Sequence, residues 1–182
     1  MIQINLDTDY ERPVISLDVE VADVSCLIDT GARMTVWCLP LLFFKKCFPD
    51  SVKTNYCTTV SGFGGISIKK REIWKIPELI LPDENGNGKY TIKNLLVAIV
   101  DDSRIAAFSM VLSSAVFHGS SYHIFDKKND KHLEIHPEYD RPVVCIPHDI
   151  PDRKKRDEKL IGIIELDDNE IFIDGITVFF EK

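Results

Sequence analysis

Apolar and polar residues alternate through VISLDVEVADVSCLID, residues 14 to 29. This is the period-two pattern of two half-buried strands folded as a hairpin. The period then changes. CLPLLFFKKCF has the apolar spacing of a short helix, with Pro40 suited to a first helical turn and Pro49 marking the end. TTVSGFGGISIKKREIWKIPELIL predicts strand, glycine turn, strand. ELILPDENGNGKYTIKNLLVAIV predicts a second hairpin, with Asn85-Gly86 and Asn87-Gly88 as turn signals. FSMVLSSAVF predicts a strand running into a short helix, and SYHIFDKKNDKHLEIH a further hairpin turning near Lys127 to Asp130. Short strands with closely spaced turns and one or two short helices predict an all-β barrel or sandwich.

The texture changes at residue 137. HPEYDRPVVCIPHDIPDRKKRDEK holds four prolines and a block of mixed charge, the composition of an extended arm. β character returns in LIGIIELDDNEIFIDGITVFFEK, with turns expected at Asp167-Asp168-Asn169 and at Asp174-Gly175. The expected division is therefore one domain over residues 1–136, followed by a proline-rich arm and C-terminal β extension over 137–182. EIFIDGITVFF is too apolar to stay in water. It must cover an edge of its own barrel, pair with a second chain or cap a dimer face. A place near a dimer interface is the favoured expectation, with the edge-covering hairpin as its alternative.

Composition narrows the class. With 45% apolar and 28% charged residues the chain is an ordinary globular one, and no apolar run approaches a membrane span. The net charge of −7 argues against a general binder of nucleic acid or anionic membrane. The acidic, polar opening MIQINLDTDYERP is unlike an export signal, and five cysteines without regular spacing suit reduced thiols. A cytoplasmic setting is expected.

One stretch carries candidate chemistry. In VSCLIDTGARMTVW a strand-like run ends in Asp29-Thr30-Gly31 and turns apolar again at Met34, Val36 and Trp37. Two carboxyls in contact cannot both ionise, so a pair can act as base toward a water and as acid toward a carbonyl oxygen. Asp29 would be one of such a pair. Thr30 supplies a hydroxyl that can tie one loop to another. Gly31 lets a backbone N–H approach the carboxylate with no Cβ in the way. An ordinary β-turn also uses Asp, Thr and Gly, so the tripeptide alone is a weak signal.

Its surroundings are more specific. LIDTGARMTVW resembles the active-site segment of the retropepsins, the retroviral-type aspartic proteases, through Leu27, Ile28, Asp29, Thr30, Gly31, Ala32, Thr35 and Val36. SGFGGISIKKR resembles the retropepsin flap, with Gly62, Phe63, Gly64 and Gly65 as its tip. Met110-Val111-Leu112-Ser113 matches a third element, a strand behind the catalytic loop, except that Ser113 stands where a glycine is expected. This departure puts the close packing of that strand in question. The resemblance implies a closed retropepsin-like barrel. It further implies a homodimeric aspartic endopeptidase with Asp29 of each chain catalytic and Thr30, Gly31 and Ala32 in support. A peptide would lie extended under the flap, with no metal and no cofactor. The alternatives are a dimerisation or peptide-binding module without catalysis, and a monomeric latent form capped by the extension.

Other candidates carry less. His132 and His136 would chelate a metal only on a helix, and four strand residues span about 13 Å, too far for one ion. Cys145-Ile146-Pro147-His148 is a single Cys-x-x-His without a second pair. DRKKRDEK nearly balances its charges and reads as a solvated segment.

Overall fold

In a computed structural model of the chain, the structure describes residues 1–32, 34–61, 66–85, 89–102, 107–117, 120–127, 129–137, 143–144, 170–173 and 176–180. Outside these lie the expected flap tip Gly62, Phe63, Gly64 and Gly65, the turn residues 86–88, most of the proline-rich arm with Cys145 and His148, and the turns expected at 167–169 and 174–175.

The fold is all-β with one short α-helix. In chain order the strands are β1 (Ile2–Asn5), β2 (Val14–Val19), β3 (Ala22–Asp29), β4 (Thr35–Trp37), β5 (Val52–Ser61), β6 (Ile66–Pro82), β7 (Lys89–Ile99), β8 (Met110–Ser113), β9 (Ser120–Lys127), β10 (Asp130–Pro137), β11 (Val143–Val144), β12 (Glu170–Ile173) and β13 (Ile176–Phe180). Helix α1 spans Leu41–Cys47, and a 3-10 turn spans Ser114–Phe117. One sheet has three strands in the order β1-β10-β9. The other runs β12-β13-β5-β6-β7-β4-β8-β3-β2, with β11 beside β7. Among the described residues this path stays open, since β2 and β12 at its ends are not paired to each other.

The alternating segments form the hairpins they predict. β2 and β3 pair antiparallel with Val14 opposite Leu27, and β9 and β10 pair with Lys127 opposite Asp130. β6 pairs with β7 along the second predicted hairpin. β5 and β6 run antiparallel up to Ser61 opposite Ile66, the two residues that flank positions 62–65. Their ladder slips between Lys53 and Cys57. Thr54 fills the gap, its hydroxyl donating to the Ile73 carbonyl at 2.7 Å and accepting from the Tyr56 N–H at 3.2 Å.

Helix α1 begins after Pro40, whose carbonyl accepts from the N–H groups of Phe43 and Phe44. Lys45 and Lys46 lie in its last turn, where cations favour the negative end of the helix dipole. Its buried residues Phe44 and Cys47 face inward. Phe44 meets Trp37 edge-on at 5.4 Å between ring centroids and Trp74 at 6.0 Å. These rings belong to the larger of two apolar clusters, with Ile15, Cys26, Ile28, Leu95 and Met110. The second cluster holds Val14, Leu27, Met34, Val36, Ala98 and Val111.

The extension pairs with its own chain. β12 and β13 form a hairpin, and β13 runs antiparallel to β5 with Val178 opposite Thr58 and Phe180 opposite Tyr56. Of the places considered for the segment, this pairing is with the edge of its own sheet. β11, inside the expected arm, pairs parallel to β7 with Val143 opposite Ile92. The arm is thus not wholly an extended linker: two of its residues extend the sheet, as apolar β-branched residues beside an available edge can do.

Candidate active site

The site grows from one crossover. β3 and β8 run parallel, with Asp29 level with Ser113. β4 lies on the other side of β8 and runs antiparallel to it, with Val36 opposite Val111. The chain therefore climbs β3, passes over the end of β8 and descends β4. Asp29 is the last residue of β3 and the start of that overpass.

Both flanks of the overpass are sunk in the interior. Before it, Ile28 enters the larger apolar cluster and Leu27 the second. After it, Val36 enters the second cluster and Trp37 the larger. Successive strand residues face opposite sides, so each flank is anchored in both cores at once. The loop between them stays at the surface: Asp29, Thr30 and Gly31 are exposed and Ala32 is half-buried.

Inside the loop, the Gly31 N–H donates to Asp29 Oδ1 at 2.9 Å, and the Ala32 N–H donates to the Asp29 carbonyl at 3.1 Å. The second bond closes a four-residue turn. A Cβ on residue 31 would sit 3.3 Å from Asp29 Oδ1, closer than side-chain carbons ordinarily lie to an oxygen. Glycine at 31 thus gives the carboxylate a backbone donor at close range. The result is an exposed carboxylate, oriented by one amide, on a loop whose ends cannot move. It can accept a proton from a water or share one with a second carboxylate.

The departure at Ser113 is accommodated in the fold. Its side chain does not disturb the packing behind the loop. It is 1% exposed, its hydroxyl donates to the Ala32 carbonyl at 2.9 Å, and its N–H donates to the Thr35 hydroxyl at 3.2 Å. Space that a glycine would leave is filled by a group that bonds the loop. The sequence marked this position only as a departure from a pattern, because the receiving carbonyl lies 81 residues away.

Beside the loop, the second apolar cluster reaches the surface through half-buried Tyr10, Ala32, Val60 and Phe108, with the Tyr10 and Phe108 rings 5.4 Å apart. A polar open cleft of about 650 Å³, lined by Gln3, Asp7, Glu84, Lys131 and His132 among others, does not include Asp29.

The histidines lie on β10 and are taken up by carboxylates. His132 Nδ1 is 2.6 Å from Asp130, its Nε2 is 3.4 Å from Glu134, and its ring stacks on Phe125 at 4.4 Å. His136 Nε2 is 3.5 Å from the other Glu134 oxygen. Among the described residues no group of three or more His, Cys, Asp and Glu is arranged to hold a metal ion.

Cys26, Cys38, Cys47 and Cys57 are free and buried. Burial pushes the Cys38 thiol up to about 11, the Cys26 thiol further, and the Cys47 thiol in the same direction. With a thiol at that value, only about one Cys38 in a thousand is thiolate at about pH 8. Iodoacetamide should therefore label Cys26 and Cys38 in the folded protein at least about a hundredfold more slowly than in urea. Peptide mapping by mass spectrometry checks this. Equal rates would place these thiols at the surface.

No family model matches the sequence, and no curated protein matches it. Among solved structures, the chain is similar to a retropepsin-like aspartic protease from Rickettsia conorii, with a TM-score of 0.42 and 14% identity, over 75% of this chain and 89% of that one. Among the described residues no helix is long and apolar enough to cross a membrane.

Proposed function

We propose that the chain is one subunit of a retropepsin-like aspartic endopeptidase, with residues 1–136 as the protease unit and 137–182 as an appended piece. The observation that supports this best is the overpass at Asp29: an exposed carboxylate, held by the Gly31 N–H, on a loop clamped at both ends into two apolar cores. That is the geometry a shared-proton pair needs, since each carboxyl must meet its mate without moving.

The sequence contains a single Asp-Thr-Gly, so a pair takes two chains. In the proposed dimer the two Asp29 loops meet at a two-fold axis, where Thr30 of each chain reaches the other loop. A water between the carboxyls loses its proton to the ionised one and attacks the peptide carbonyl. The protonated one donates to the carbonyl oxygen, and no covalent intermediate forms. The substrate lies extended between this floor and residues 62–65, recognised through its backbone. The apolar surface at Tyr10, Ala32, Val60 and Phe108 favours large apolar side chains next to the cut bond. Reduced, buried thiols suit a cytoplasmic enzyme.

The test is a pooled peptide library incubated with the full chain at graded protein concentrations and pH, with products read by mass spectrometry and mass in solution by sedimentation. Specific activity should fall as the dimer dissociates, and the pH profile should be bell-shaped with limits belonging to the pair. A dimer that binds peptides and cuts none at any pH is the non-catalytic module instead. A monomer that becomes an active dimer only after removal of residues 137–182 is the latent form.

A further inference from the structure

We infer that Ser113 is a positioning residue for the Asp29 loop, acting through the Ala32 carbonyl; this rests on the proposed function. Three hydrogen bonds run in series from β8 to the carboxylate. The buried Ser113 hydroxyl donates to the Ala32 carbonyl at 2.9 Å. The Ala32 N–H donates to the Asp29 carbonyl at 3.1 Å. The Gly31 N–H, one residue earlier, donates to Asp29 Oδ1 at 2.9 Å. Asp29 and Ser113 are level on neighbouring parallel strands, so the series begins and ends at the same height in the sheet.

Ser113 also holds the far limb of the loop, since its N–H donates to the Thr35 hydroxyl, and Thr35 is 2% exposed. The two bonds differ in what they require. The bond to Thr35 uses the backbone N–H and does not depend on the hydroxyl at 113. The bond to Ala32 exists only if residue 113 carries a hydroxyl. The side chain at 113 therefore holds the carbonyl at the end of the Asp29–Ala32 turn, and so restrains the turn in which the Gly31 N–H meets the carboxylate. Without the hydroxyl the carbonyl of half-buried Ala32 loses this donor, and the turn gains freedom where the carboxylate is aimed. Reacting groups held loosely lose rate far more readily than they lose affinity.

The experiment compares the full chain with Ser113→Ala, Ser113→Gly and Ser113→Thr. In the Ala and Gly variants kcat should fall about tenfold with KM changed less than about twofold, the pattern of a lost transition-state arrangement. The Thr variant keeps the hydroxyl and should restore kcat. One readout needs no activity: amide exchange at Gly31 and Ala32, expected to rise about tenfold in Ala and Gly but not in Thr. Should Ser113→Ala not fold, Gly against Thr decides. A lower Tm with unchanged exchange at Gly31 overturns the inference, because a merely structural contact gives that result. If the wild-type chain cuts no peptide, the proposed function fails, while exchange at Gly31 and Ala32 still decides the role of Ser113.

Discussion

Asp29→Asn should abolish peptide cleavage, lowering kcat by about 10³-fold or more, and leave the fold intact. The two halves of this expectation have separate causes. Asparagine keeps the shape of the side chain, and its oxygen can still accept from the Gly31 N–H that meets Asp29 Oδ1 at 2.9 Å. The position is exposed, so the substitution strands no buried charge and should change stability by less than about 0.5 kcal/mol. What asparagine cannot do is give or take a proton. General acid–base catalysis is worth about 10²- to 10⁴-fold, and in the proposed dimer both carboxyls of the pair disappear together. Cleavage assays and thermal melts on the same preparation check the two halves. Full activity in the variant removes Asp29 from the mechanism. Lost activity with a collapsed melting temperature makes Asp29 a structural residue.

The largest effect on stability is expected at Trp37. Its side chain is fully buried. Its ring lies 6.1 Å from Phe43, 5.4 Å from Phe44 and 5.9 Å from Phe48, and its indole N–H donates to the Pro40 carbonyl at 3.4 Å. Trp37→Ala removes all three ring contacts and leaves a cavity between β4 and α1 that the sheet cannot close, a loss of about 3–5 kcal/mol. Domains of this size are stable by about 5–15 kcal/mol, so the variant should lose a large share of its stability. Urea unfolding followed by circular dichroism measures the loss, with an unchanged slope showing that the denatured state is the same. Trp37→Phe, which keeps an aromatic ring in the space, should lose clearly less. A cost below about 1 kcal/mol for Ala would mean that α1 repacks onto β4.

Because Trp37 sits two residues beyond Thr35, the same variant tests whether the site loop depends on the core beneath it. In variants that stay folded, an Asp29 loop clamped from below should lose order together with α1.

Local pattern was enough for much of this molecule. The alternation from Val14 to Asp29 carries the β2–β3 hairpin, because successive strand side chains face opposite sides and only one register buries the apolar set. The apolar spacing after Pro40 carries α1, and the turn near Asp130 carries β9 and β10. Asp29-Thr30-Gly31 carries its own turn, since the donor and the acceptor are two residues apart and a Cβ at 31 would crowd the acceptor oxygen at 3.3 Å.

Other features had no local signal. β8 slots between β3 and β4 although Ile28 and Leu112, which lie level in the sheet, are distant in sequence, and parallel neighbours leave no turn between them to read. The C-terminal β13 could satisfy its backbone on any open edge, and its pairing with β5 is set by the tertiary fold and not by its own residues. Ser113 is the sharpest case. Read along the chain it is a small polar residue in an apolar strand. Its bond to Ala32 exists only because the overpass brings a carbonyl from 81 residues away to within 2.9 Å of a buried hydroxyl. Sequence determines side-chain period and local turns because those depend on neighbours within a few bonds. Which distant groups meet, and so what a buried polar group can satisfy, is decided by the packing of the sheet as a whole.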